Sequence, residues 1–284
     1  MDTTNVFTIT PMNQDFELEA GQVYTGSILV SNPSTAANDF HYKVTVSPYS
    51  VIGEEYAADL ETFSNRSQIV DWIKVDNPTG ILKPNETAEV KFTITVPESA
   101  PAGGQYAALM VGSDNDTVVS EGLSINNVFE MASLVYAKVA GETVHAGEVS
   151  EITIPGFVAS TPIAASALIT NDGNVHETAR IALEVRSVFS STPIYPAPGE
   201  SGVLTEVIMP ESTRYITRNI DGISPLGIYN ITETVNYLGQ NTTFSQTVLV
   251  CPIWFMVLSI VTITAVAVAI VRNIRAHQIK RKVF

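Results

Sequence analysis

The chain has 284 residues, a formal net charge of −14 and a hydrophobic fraction of 45%. Such an acidic balance argues against nucleic acid as a partner and against tight binding to anionic lipid. The single cysteine, Cys251, excludes an intrachain disulfide.

Apolar and polar residues alternate in several segments of the first 250 residues. Phe40–Val46, Ala88–Val96 and Ile181–Val185 alternate cleanly, and Phe244–Val250 does so less regularly. A period of two places the apolar set on one face of a β-sheet. Turn-forming clusters separate these segments at Asn32–Ser34, Asn77–Gly80 and Asn171–Asn174. The pattern predicts an all-β fold of antiparallel sandwiches.

Two local features stand out within this strand pattern. Glu54–Trp72 is the one segment suited to short helical turns, and no long amphipathic helix is visible before residue 250. Asp172–Gly173 is suited to positive φ, so we expect a tight hairpin there.

The strand pattern occurs twice in the same order. Ser27–Asn32 aligns with Ser166–Asn171 at an offset of 139 residues, and Pro101–Tyr106 resembles Pro225–Tyr229 further on. We therefore expect two immunoglobulin-like β-sandwiches in tandem, over residues 1–142 and 143–250. The recurring tyrosines, Tyr106 and Tyr229, are predicted to bond upstream backbone as tyrosine-corner residues.

Residues Cys251–Val271 form an uncharged apolar run. As a helix, 21 residues would cross a hydrocarbon core of about 30 Å. The run lacks the polar face of an ordinary core helix. We therefore predict one transmembrane helix over 251–271 and a basic tail over 272–284.

Charge predicts the orientation of this span. All 29 acidic residues and 10 of the 15 basic residues precede residue 251, which leaves −19 ahead of the span and +5 behind it. Because Lys and Arg beside a span stay cytoplasmic, the tail should be inside and the acidic block outside. Met1–Thr4 shows no export signal, so we expect a signal peptide to have been removed before this numbering begins.

The motifs Leu82–Thr87, Val96–Pro97 and Ala100–Tyr106 resemble those of bacterial immunoglobulin-like surface domains. With Asn13–Gln14 near the first strand and one C-terminal span, the layout is similar to the WxL-interacting surface proteins of Gram-positive bacteria. The resemblance implies a non-catalytic protein that engages cell-wall polymer and a partner surface protein. The lack of disulfides also favours a bacterial surface.

Catalytic and metal-binding patterns find little support. No nucleophile motif is present, and the histidines His41, His145, His176 and His277 lack zinc spacing, so each is expected to be an ordinary surface residue. A glycosidase needs two suitably spaced carboxylates, and Glu54, Glu55 and Asp59 give only weak support for such a pair. The loop Ser113–Thr117 is predicted to be a hairpin tip rather than a calcium-binding loop. We expect no enzyme activity, no cofactor and no metal.

Binding residues are harder to identify from sequence. Tyr49, Tyr56 and Phe63 are candidates because aromatic residues anchor many interfaces. Asn13 and Gln14 are candidates because the resemblance to WxL-interacting proteins implies a role for an Asn-Gln pair near the first strand. Trp72 is expected instead to cover the core of the first sandwich. A sheet edge could also accept a partner strand, but sequence does not identify the open edge.

The expected function is that of a single-pass cell-surface protein that binds or displays through its outer domains, with the first domain as the binding end. Its partner would be cell-wall polymer or a surface protein. Three alternatives remain open: an accessory subunit of a membrane complex, an exported chaperone that lends or accepts a strand, and a hydrolase with an unusual site.

Overall fold

The computed structural model describes residues 7–52, 55–58, 64–113, 119–120, 123–124, 130–190, 192–197 and 201–282. The chain separates into two compact units. Unit 1 comprises Met1–Gly147, Thr170–Glu177 and Val207–Arg214, and unit 2 comprises Glu148–Ile169, Thr178–Glu206 and Tyr215–Phe284. The predicted domain ranges, 1–142 and 143–250, stay predictions and differ from these units in the segments 170–177 and 207–214.

The described residues of the first half form twelve strands and one short 3-10 helix, Gln68–Asp71. The strands are β1 (Thr8–Thr10), β2 (Asn13–Leu18), β3 (Val23–Ser31), β4 (Phe40–Ile52), β5 (Glu55–Ala58), β6 (Ile73–Val75), β7 (Thr79–Leu82), β8 (Thr87–Thr95), β9 (Gly103–Ser113), β10 (Val119–Ser120), β11 (Leu123–Ser124) and β12 (Met131–Val139).

Two sheets enclose the core of unit 1. One has the order β1-β3-β8-β6, and the other has the order β2-β12-β9-β4-β5, with β7 also paired to β4. This is the strand order of an immunoglobulin-like sandwich. Pro11 lies between β1 and β2, where the chain passes from the first sheet to the second, because proline has no N–H with which to continue a ladder.

The core of unit 1 follows the predicted alternation. Val90, Phe92 and Ile94 of β8 are at most 1% exposed and belong to a cluster with Val44 of β4. Burial of each such side chain stabilises the fold by roughly 1.5–3 kcal/mol. Trp72 is buried in the same cluster, which confirms its predicted place over the core.

The second half forms nine strands within the residues that the structure describes. They are β13 (Gly147–Thr153), β14 (Phe157–Val158), β15 (Ile163–Asn171), β16 (Glu177–Ser187), β17 (Pro193–Tyr195), β18 (Val203–Ile208), β19 (Ser212–Ile220), β20 (Gly227–Tyr237) and β21 (Gln240–Val250).

These strands also form two sheets, with most of their residues in unit 2. One has the order β13-β15-β19, and the other has the order β14-β21-β20-β16-β17, with β18 also paired to β16. Ile163, Leu183 and Val248 are buried together between the two sheets. The order of equivalent strands repeats that of the first half, as the internal sequence repeat predicts.

Two buried asparagines support the repeat at the level of single contacts. The Asn32 amide donates to Leu82 O and to Asn38 O, both at 3.0 Å. The Asn171 amide donates to Ile208 O and to Val175 O, both at 2.9 Å. Each asparagine therefore lies at the end of its strand and donates to two carbonyl groups, whereas the sequence predicted only a role at the start of a turn.

The predicted hairpin at Asp172–Gly173 is wrong. The segment joins β15 to β16, which lie in different sheets. A two-residue hairpin occurs instead at Leu238–Gly239, between the paired residues Tyr237 and Gln240. Both loop residues have positive φ, 48° and 75°, as a type I′ turn requires.

The C-terminal helix α1 spans Ile253–Lys282. It begins immediately after Pro252, whose carbonyl accepts hydrogen bonds from the N–H groups of Phe255 and Met256. The predicted span began two residues earlier, and the predicted tail proves to be a continuation of the helix. No glycine or proline follows residue 252 to end it.

Candidate functional site

Strand β2 ends the five-strand path of unit 1's larger sheet, and within the part of the chain that the structure describes no other strand pairs with its outer edge. Its inner edge pairs in parallel with β12. At six residues, β2 is longer than β1, β6 or β5, which end the sheets of this unit elsewhere. The open edge of β2 therefore offers a longer row of main-chain groups to a partner strand than the end strands β1, β5 and β6 do.

The hydrogen bonds between β2 and β12 show which residues face the open edge. The Leu134 N–H donates to Met12 O, and the Ala140 N–H donates to Leu18 O, both at 2.8 Å. The N–H and C=O of one residue leave a strand on the same side, and the side alternates along the strand. Asn13, Asp15 and Glu17 therefore direct their backbone groups to the open edge.

The candidates Asn13 and Gln14 have different surroundings. Asn13 is exposed, whereas Gln14 points towards the core side of the sheet and is half-buried. The Gln14 Nε2 atom is buried and has no hydrogen-bond acceptor among the described residues. The backbone of Asn13 therefore faces the open edge, whereas the side chain of Gln14 lies on the core side of the sheet.

Tyr49, the third candidate, is buried rather than exposed. It belongs to a tyrosine cluster of Tyr49, Tyr106 and Tyr136 on the face of the larger sheet opposite the main core. The Tyr136 ring lies 6.2 Å from the Tyr49 ring and 5.7 Å from the Tyr106 ring, edge to face in both pairs. Such geometry stabilises the face itself.

His176 packs against the tyrosine cluster, and its predicted role as an ordinary surface residue is wrong. Its ring centre lies 5.3 Å from that of Tyr136, and its Nδ1 atom lies 3.3 Å from the Tyr106 hydroxyl. Burial lowers the pKa of His176, while the nearby Asp15 carboxylate opposes that shift. No local pattern in the sequence indicates this contact, because residues 106 and 176 are 70 positions apart.

The two predicted tyrosine corners differ. The Tyr229 hydroxyl donates to Ser224 O at 3.1 Å, as predicted, whereas the Tyr106 hydroxyl lies beside His176. In both repeats the ring covers a glycine two residues earlier, where a Cβ would meet the hydroxyl oxygen at 2.0 Å over Gly104 and at 2.6 Å over Gly227.

A cavity of about 130 Å³ adjoins Tyr49 within unit 1. Arg66 crosses it to bond Glu211 at 2.6 Å. The Arg66 Nε atom and the Ser50 hydroxyl are buried there without hydrogen-bond partners. The volume admits a few water molecules, at about 30 Å³ each, and is too small for a polymer chain.

A buried carboxyl group lies in unit 2. Glu233 is fully buried, and neither of its carboxyl oxygens has a hydrogen-bond partner among the described residues. Burial raises the pKa of Glu233 to about 7, although the charge of Arg218 acts in the opposite direction. The Arg218 guanidinium donates instead to Gly202 O and to the Tyr195 hydroxyl, both at 2.7 Å. Sequence reasoning missed Glu233, although it alternates in phase with Ile231 and Val235.

Several predicted positions fall outside the described residues. They are Phe63, Glu54, Asp59, most of the loop Ser113–Thr117, and the side chains of Glu55 and Tyr56. The described residues contain no group of three or more His, Cys, Asp or Glu side chains that could hold a metal ion.

No family model matches the chain, and no curated protein matches it. The class 5 fimbriae chaperone CfaA is a similar solved structure, with 15% identity over 86% of this chain and 99% of its own, at a TM-score of 0.41. The SafB chaperone in complex with SafA pilin of Salmonella enterica is 12% identical over 88% of this chain and 98% of that one, with a TM-score of 0.40. These similarities are too low to assign a function, and the resemblance to WxL-interacting proteins stays a prediction.

Proposed function

We propose that this chain is a membrane-anchored, non-catalytic binding protein that holds an extended segment of a partner surface protein along the open edge of β2. One observation carries the binding role: Asn13, Asp15 and Glu17 direct unpaired N–H and C=O groups outward from a six-residue strand. Main-chain hydrogen bonds from such an edge provide affinity for an added strand.

The anchor in this proposal is the apolar part of α1. Ile253–Arg272 is long and apolar enough to cross a membrane, with a mean hydropathy of 2.5, and none of that window is buried against the rest of the protein. Trp254 at its start is 67% exposed, which suits the headgroup region. The basic tail would lie in the cytoplasm, with the residues ahead of Cys251 outside.

Charge favours a protein partner over an anionic wall polymer. The residues ahead of the span carry a net charge of −19, which repels polyanions at low salt. The side chains of Asp15 and Glu17 are exposed beside the open edge. A neutral or basic extended peptide segment is therefore the partner chemistry that this edge suits best.

Replacement of Asp15 by proline tests the binding role. Proline removes the N–H that faces the open edge, and it is tolerated on edge strands because the lost donor takes no part in the existing ladder. Asp15→Ala is the matched control, since it also removes the carboxylate but keeps the N–H. We expect Asp15→Pro to lose at least about tenfold in partner recovery, equivalent to about 1.4 kcal/mol.

The measurement is a pull-down from native membranes with the full-length protein in mild detergent, followed by affinity determination for the recovered partner. Equal recovery by the Pro and Ala variants would contradict binding at β2. Recovery of wall polymer alone would contradict the choice of partner.

An exported chaperone is the second candidate, and the same open edge favours it, because such an edge can also accept a strand from an unfolded client. Recovery of an unfolded client in the same pull-down would support it over the surface-display role. A folded surface protein would support the main proposal.

A further inference from the structure

The outer face of the larger sheet in unit 2 is polar along most of its length. Its cross-strand pairs on β20 and β21 bond through their side chains, as Thr234 does with Thr243 at 3.0 Å and Asn236 with Asn241 at 2.8 Å. Thr247 donates to Asn230 at 2.8 Å at the lower end of this ladder. These pairs make the face polar and suited to contact with water, as expected for the outer side of a sandwich.

The polar ladder ends in an apolar row beside the helix. Ile228 pairs with Leu249, which pairs in turn with Phe157 of β14. On the other side, the Val188 N–H donates to Ile228 O at 3.1 Å. All four side chains are 36–46% exposed, and Phe189, next to Val188, is 84% exposed. We call these five residues the apolar row.

The apolar row is tied closely to the start of α1. Phe157–Val158 pair with Leu249–Val250, and the Cys251 N–H still donates to Val158 O at 3.0 Å. Only Pro252 separates Cys251 from the helix. Leu249 is four residues from Ile253, so the two lie within about 14 Å even if the chain is fully extended.

The length of the span decides what covers the row. Its 20 residues, Ile253–Arg272, give about 30 Å of helix, which only just crosses the hydrocarbon core. Ile253 must then lie near the outer boundary of that core. The headgroup regions add roughly 5–8 Å on each side, so a row within about 14 Å of Ile253 is close enough to reach the headgroups and the first acyl carbons.

We propose that the apolar row inserts into the outer surface of the bilayer and seats unit 2 directly on the lipid; this inference rests on the proposed membrane anchor. The occupant is the lipid bilayer rather than a second copy of the chain, because the row adjoins the helix start and the polar ladder begins immediately above it. The lipid need not be anionic, since apolar insertion requires no charge complementarity.

Depth-dependent fluorescence quenching tests the proposal. The full-length protein, one copy per nanodisc of zwitterionic phosphatidylcholine, carries Cys251→Ser and one labelling cysteine for the fluorophore NBD. Phe189→Cys reports on the row, Thr243→Cys reports on the far end of the same outer face, and Val261→Cys reports on the span. Nitroxide lipids labelled near the headgroup and deep in the acyl chains serve as quenchers.

We expect shallow nitroxides to quench the label at 189 by about threefold more than the label at 243, because insertion reaches only the headgroup and upper acyl region. Equal weak quenching at 189 and 243, with strong deep quenching at 261, would overturn the inference and leave the anchor intact. A label at 189 that resists both nitroxides and aqueous iodide would also overturn it, since protein would then cover the row. Absence of quenching at 261 would overturn the anchor and this inference together.

Discussion

Glu233 carries an ionisable carboxyl group at a fully buried position. It has no hydrogen-bond partner, and its pKa is raised from an ordinary value near 4.5 to about 7 by burial. The folded protein therefore keeps a proton that the unfolded chain releases between about pH 4.5 and pH 7. Within that window the folded state binds more protons, so the free energy of unfolding falls as the pH rises.

Glu233→Gln should remove this pH dependence. The rise in pKa from 4.5 to about 7 corresponds to roughly 3–4 kcal/mol, since one pKa unit is about 1.4 kcal/mol. We expect the variant to be more stable than the parent by about that amount at pH 8 and to match it at pH 4.5. The measurement is the denaturation midpoint of unit 2 against pH. Glu148→Gln, which changes an exposed carboxyl of the same unit, is the control, and identical pH profiles for all three proteins would contradict the assignment.

His176 shows what sequence reasoning loses at the residue scale. Its neighbours along the chain, Glu177 and Val175, suggest only a turn beside a strand. Its contacts with Tyr106 and Tyr136 arise because residues 170–177 belong to unit 1. Contacts of this kind depend on tertiary packing, and local alternation carries no information about them.

Among the secondary-structure elements, the turn of the hairpin β20–β21 allows a specific prediction about stability. Leu238 has φ of 48°, a value that costs a side-chain-bearing residue about 1–2 kcal/mol, while Gly239 has φ of 75°. No atom lies within 4 Å of a Cβ placed on Gly239. Any effect of substitution there comes from the backbone conformation alone.

We expect Leu238→Asn to stabilise unit 2 by roughly 0.5–1 kcal/mol, because Asn-Gly is the favoured pair for a type I′ turn. Gly239→Ala should destabilise it by about 1 kcal/mol, because alanine disfavours positive φ. Chemical denaturation of the two variants checks the opposite signs. Changes of the same sign would show that the turn has another conformation.

The strands themselves were largely predictable, and their connections were not. Ala88–Val96 alternates along its whole length, and β8 covers Thr87–Thr95. The hairpin was misplaced because Asp-Gly is a strong turn pair, whereas Leu-Gly gives no comparable indication. The open edge of β2 also escaped sequence reasoning, since edge position depends on which strands pair across the sheet.

Across the whole molecule, charge and hydropathy are distributed asymmetrically along the chain. An acidic block precedes an apolar helix, and five basic residues follow residue 271. Between Ile253 and Val271 most of the apolar side chains of α1 are exposed, from 46% at Val271 to 68% at Ile263. Such a surface requires a cover that the described residues do not provide, and a bilayer supplies one.

The most direct test of the central claim is protease treatment of intact cells that express the protein with an epitope tag after Phe284. We expect protease to remove the residues ahead of Cys251 and to leave a fragment that carries the helix and the tag. Loss of the tag from intact cells, with residues 7–250 protected, would contradict it.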